Sequence, residues 1–65
     1  MYKSEEEMVN TVIGEAVLAL LDSDVDISAE TVSEYLRQMQ TRENDDARRG
    51  VIKKALQLTS QAFLH

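Results

Sequence analysis

Sixty-five residues, a formal net charge of −5, no cysteine, no proline and a single histidine confine this chain to one small domain. A domain of that length buries only about 60% of its unfolded surface, and such folds usually add disulfides, a metal or a partner subunit. Disulfides are excluded here and one terminal histidine cannot build a structural zinc site, so self-association is the device that remains.

No apolar run approaches the ~20 residues of a membrane span. The acidic start, MYKSEEEM, lacks the basic and apolar regions of a signal peptide. A soluble, cytoplasmic protein with no membrane contact is expected. The charge is unevenly spread: residues 1–36 carry a net −8 and residues 37–65 a net +3. The acidic balance argues against DNA as a direct partner, because phosphate repulsion would have to be overcome.

Ser4 followed by Glu7 predicts a capping box, with Glu5, Glu6 and Glu7 favourably placed at the positive end of the helix dipole. The first helix is predicted over about residues 5–21. Its apolar residues come in pairs four apart: Met8/Val9, Val12/Ile13, Ala16/Val17 and Leu20/Leu21. At about 100° per residue they cover an arc of roughly 220°, with Leu18 outside even that. One docked face needs only roughly 100°. In so short a chain little else is available to cover such a helix, so it is expected to lie at the centre of a homodimer. The residues assigned to that interface are Met8, Val9, Val12, Ile13, Gly14, Ala16, Val17, Leu20 and Leu21. Gly14 sits mid-helix at a cost of about 1 kcal/mol relative to alanine, which points to close approach of another helix over Thr11, Gly14 and Leu18.

Asp22 to Ile27 reads as a polar break. Asp22, Asp24 and Asp26 alternate like the opening of a calcium-binding EF-hand loop, but Ile27 replaces the turn glycine and Ser33 the bidentate glutamate. The loop is read as a solvated acidic connection. Ser28 is the expected cap of the second helix, with Ile27 and Val32 as a hydrophobic staple. That helix is predicted over about residues 29–41, and Val32, Tyr35, Leu36 and Met39 form a stripe of ordinary width that belongs in a core.

Asn44 or Asp45 should cap the third helix, predicted over about residues 46–63. Ala47, Val51, Ile52, Ala55, Leu56, Thr59, Ala62 and Phe63 share one side; Lys53, Lys54, Gln57 and Gln61 take the other. Arg48 and Arg49 occupy a first turn where the dipole disfavours cations. Arg49, Lys53 and Gln57 continue as a ridge. A solvated face explains this charge most simply; contact with another macromolecule is the sharper reading, with Arg48, Arg49 and Lys53 as the residues for it. No paired histidine and carboxylate, cysteine nucleophile or glycine-rich phosphate loop is present. His65 has no acidic neighbour in sequence. A non-enzymatic protein without cofactor or metal is expected, and the fold class is all-α: three helices in one domain over residues 1–65.

Three segments, Val12–Leu21 (VIGEAVLALL), Ile27–Met39 (ISAETVSEYLRQM) and Asp45–Leu56 (DDARRGVIKKAL), resemble a known family. The similarity rests on Gly14, Ala16 and Val17, on the Ile27–Ser28 start of the second helix, and on Arg48, Arg49, Val51 and Ile52. It spans about residues 8–60. The family is that of the small enterobacterial biofilm-development and acid-resistance regulators, the AriR/YmgB-type two-component connector proteins, with their YmgA and YcgZ relatives. The resemblance implies a homodimeric three-helix Hha-like fold without enzymatic activity. It also implies control of biofilm, motility and acid-stress genes through the Rcs phosphorelay and its response regulator. The rival expectation is an Hha-like nucleoid-associated modulator touching DNA directly or through a DNA-binding partner. A third is an interaction protein of unrelated purpose.

Overall fold

The structure, a computed structural model, describes the backbone of residues 4–64 and the side chains of residues 4–61. His65 and the side chains of Ala62 and Phe63, which the sequence placed at the end of the third helix's apolar side, lie outside the described residues. Three helices follow one another: α1 (Glu5–Asp22), α2 (Ala29–Arg42) and α3 (Asp46–Leu64). All regular structure among the described residues is helical.

Each helix start is fixed by a side chain that satisfies otherwise orphaned backbone donors. The Ser4 hydroxyl accepts from the Glu7 amide at 3.2 Å, and the Ser4 amide donates back to Glu7 Oε1 at 3.2 Å. Ser28 makes the same reciprocal pair with Thr31, at 3.1 and 2.9 Å, with threonine in place of the usual glutamate or glutamine. The Thr31 hydroxyl also donates to the Asp26 carbonyl at 2.8 Å, pinning the loop onto the helix it precedes. Asp45 caps α3 by accepting the Arg48 amide at 2.9 Å. Of the two candidate caps, Asn44 and Asp45, it is the aspartate that serves.

The end of α1 has no motif that spacing alone reveals. Asp24 lies in the left-handed region with φ 59°. Its amide bonds to the Leu21 carbonyl at 3.1 Å and the Val25 amide to the Leu20 carbonyl at 3.0 Å. These are the two bonds of a Schellman ending, built around aspartate where glycine is usual.

The core is small. Val9, Val12, Ala16 and Leu20 of α1 meet Val32 and Leu36 of α2 and Ile52 and Ala55 of α3, all buried. Leu36, Ile52 and Val12 are its largest fully enclosed side chains. Tyr35, Met39, Val51 and Leu56 close its edges, together with Ile13 and Val17. The α2–α3 interface is the most extensive of the three, and α1 lies across both. Ion pairs from Glu5 to Lys54 at 3.6 Å and from Glu15 to Arg48 at 2.8 Å show that α1 runs antiparallel to α3.

The packing corrects one premise drawn from the sequence. The chain does hold enough to cover one side of α1: Val9, Val12, Ala16 and Leu20, assigned to a subunit interface, are packed within the single chain. The 220° arc is two faces, and α2 and α3 take the inner one.

Candidate interaction surfaces

The outer face of α1 remains apolar. Val17 and Ile13 border the core, while Leu18 is 68% and Leu21 58% exposed. Gly14 lies between the two leucines on the same side. Among the described residues a Cβ built on Gly14 would meet nothing within 4 Å, so the missing side chain solves no packing problem there. Of the nine residues assigned to a subunit interface, Ile13, Gly14, Val17 and Leu21 therefore remain on or beside the open face, and Leu18 joins them. Met8 is half-buried and lines a different surface.

That second surface is a groove of ≈ 310 Å³ between α1 and α3, lined by Met8, Thr11, Val12, Asp45, Ala47, Arg48 and Val51. Arg48 crosses it. Its guanidinium donates to Glu15 at 2.8 Å and to Glu43 at 3.0 Å, joining α1, the α2–α3 loop and α3. The hydrogen bond to Glu15 is the main reason its pKa is raised above the ordinary arginine value, with Glu43 adding and partial desolvation opposing. A raised pKa on a base gives stability that is complete below the unfolded-state pKa and is lost only as pH climbs through the folded-state one. For arginine that window is strongly alkaline, so this brace is constant around neutrality. Sequence spacing could not find it, because Glu15 and Arg48 lie 33 positions apart. Arg48 is thus held by carboxylates from two other parts of the chain, whereas Arg49, also chosen for partner contact, has only a long pair within its own turn.

Arg49 and Lys53 project from the outer face of α3 and are exposed. Among the described residues Arg49 reaches only Asp46, at 4.0 Å, a carboxylate itself 99% exposed. Lys53 makes no ion pair among the described residues. Gly50 follows Arg49 in the chain, and among the described residues a methyl group added there would again meet nothing within 4 Å. The result is a pair of exposed cations, Arg49 and Lys53, beside the single carboxylate of Asp46.

The remaining polar features are local. Asp22, Asp24 and Asp26 are exposed, and among the described residues no group of three or more His, Cys, Asp or Glu side chains could hold a metal ion. No described helix is long and apolar enough to cross a membrane. Ser33, which stood at the EF-hand glutamate position, is 6% exposed on the inner side of α2, and its hydroxyl has no hydrogen-bond partner among the described residues. No family model matches this chain, and neither a curated protein nor a solved structure does.

Proposed function

We propose that this protein is a non-enzymatic, homodimeric connector, with an Hha-like arrangement of its three helices, that acts in the cytoplasm by binding a regulatory protein. The observation that carries the reading is the pairing of two uncommitted faces on one small domain. An apolar face on α1 leaves Leu18 and Leu21 in water, and a basic face on α3 carries Arg49 and Lys53. The first fits a second copy of the chain, because a 65-residue core is marginal by itself. The second fits an acidic protein surface, where complementary charge speeds and steers docking.

The pathway rests on the resemblance of Val12–Leu21, Ile27–Met39 and Asp45–Leu56 to the AriR/YmgB-type connectors. On that reading the partner is a response regulator of the Rcs phosphorelay or another two-component system, and the outcome is altered expression of biofilm and acid-stress genes. The dimer acts stoichiometrically, favouring the regulator state for which it has higher affinity. Arg48 does not belong to the docking set because Glu15 and Glu43 hold it.

Capture from a native bacterial lysate tests the proposal. Wild-type protein should retain a response regulator in a salt-sensitive manner, and the Arg49→Glu, Lys53→Glu variant should fold normally and lose it. Binding of the purified protein to duplex DNA at physiological salt, lost in the same variant, would transfer the assignment to a nucleoid-associated modulator.

A further inference from the structure

The groove between α1 and α3 carries chemistry that neither the apolar nor the basic surface uses. Met8, Val12, Ala47 and Val51 give it apolar walls, and Thr11, Asp45 and Arg48 are its polar members. At ≈ 310 Å³ it stands at the lower end of small-molecule sites, which run from about 300 to 1,000 Å³. The lining covers little more than one turn of each helix. That is too short for a docked helix with anchors on successive turns, so size favours a small ligand.

Charge narrows its class. Arg48 is the one cation of the lining, but Glu15 and Glu43 hold it at 2.8 and 3.0 Å, and those three side chains together are net negative. One turn beyond Met8 and Val51, Lys54 is paired with Glu5 at 3.6 Å. Asp45 is differently placed. Its Oδ2 accepts the Arg48 amide at 2.9 Å, and its other oxygen accepts no hydrogen bond among the described residues. Thr11 donates its hydroxyl proton to the Glu7 carbonyl at 2.9 Å, so only its lone pairs face other partners. The surrounding sequence agrees: seven acids and five bases lie within four positions of a lining residue, a net charge of −2.

We propose that this groove binds a small apolar amine in its ammonium form. The hydrocarbon body lies against Met8, Val12, Ala47 and Val51, and the ammonium donates to Asp45 and Thr11. The flexible Met8 side chain adapts the wall to the shape of that body. An anion of the same shape meets carboxylates and bases already committed to them. The site is separate from both surfaces of the connector reading and stands or falls without it.

Hexylammonium, hexanol and hexanoate share one tail and differ in charge. Titrated at neutral pH into the isotopically labelled full-length protein, hexylammonium should shift the methyl resonances of Met8, Val12, Ala47 and Val51. Its Kd should be about 5-fold lower than that of hexanol, the worth of one well-placed solvated ion pair. Hexanoate should bind weakest, and added salt should shrink the differences. No binding of hexylammonium, or hexanoate binding as tightly, would overturn the proposal. Shifts centred on Leu18 and Leu21 for all three probes would overturn it too, because they would report general coating of exposed apolar surface.

Two variants test the assigned contacts. Asp45→Asn keeps the cap of α3, since asparagine and aspartate serve equally there, and should bring hexylammonium down to the affinity of hexanol. Ala47→Leu fills the groove from an exposed position and should remove binding of every probe while the helical circular-dichroism signal stays unchanged. An undiminished preference for hexylammonium in Asp45→Asn, or undiminished binding in Ala47→Leu, would overturn the site.

Discussion

The two faces of α1 are nearly equal in composition and opposite in circumstance. The inner face presents Val9, Val12, Ala16 and Leu20, none more than 7% exposed. The outer face presents Gly14, Val17, Leu18 and Leu21, with its two leucines mostly in water. Hydrophobicity therefore does not distinguish them; geometry within the chain does. A single helix cannot turn both sides toward α2 and α3, so whichever apolar stripe exceeds one docking arc must remain outside. The excess over one face, rather than the apolar content of the helix, marks the surface available to a partner.

Charge on the inner face should have the largest effect on folding. Ala16 is 0% exposed, and Ala16→Asp would bury an unpaired carboxylate at a cost of several kcal/mol. The chain should lose its helical circular-dichroism signal at 25 °C. Leu18→Asp on the outer face should instead keep that signal and lose only the concentration-dependent part of its thermal stability, since mass action links dimerisation to unfolding. If both variants unfold alike at low concentration, the contrast between the faces fails.

A polar defect on the neighbouring helix sharpens the same contrast. Ser33 is buried with no hydrogen-bond partner for its hydroxyl among the described residues, so Ser33→Ala should stabilise the monomer by about 1–2 kcal/mol in urea unfolding. A destabilised variant would mean that the hydroxyl has a partner in solution. Gly14→Ala should raise helix stability by about 1 kcal/mol at concentrations where the protein is monomeric, because the added methyl meets nothing. Any loss of monomer stability would place Gly14 against something within the chain.

The smallest effects belong to the ends and the brace. Asp24→Gly should stabilise by about 0.5–1 kcal/mol, relieving a left-handed aspartate while keeping both Schellman bonds. Arg48→Gln should cost about 1 kcal/mol or less, since its carboxylate partners are partly solvated, and the loss should shrink as salt is added. Unchanged stability across salt would show that the brace holds by packing of the arginine stem alone.

The candidate surfaces are partly legible in the sequence. Gly14, Val17 and Leu21 stand out there as an unusual excess of apolar surface, and Arg49 and Lys53 as misplaced charge. Arg48 reads as one of the same group, because its sequence neighbours give no sign of Glu15. Ser33 carries no signal at all, since a serine on a helix is ordinarily exposed.

What the sequence alone determined is local: three helices, their capping residues at Ser4 and Ser28, and the arc of α1 that one docking face could not use up. These follow from interactions spanning at most a few turns, for which spacing along the chain is sufficient. Only the tertiary structure decided which half of that arc faces inward and that Arg48 braces α1. It also decided that Gly14 and Gly50 both border empty space. Each depends on the angle at which α1 lies across α2 and α3, and that angle is set by side-chain packing among residues far apart in the chain.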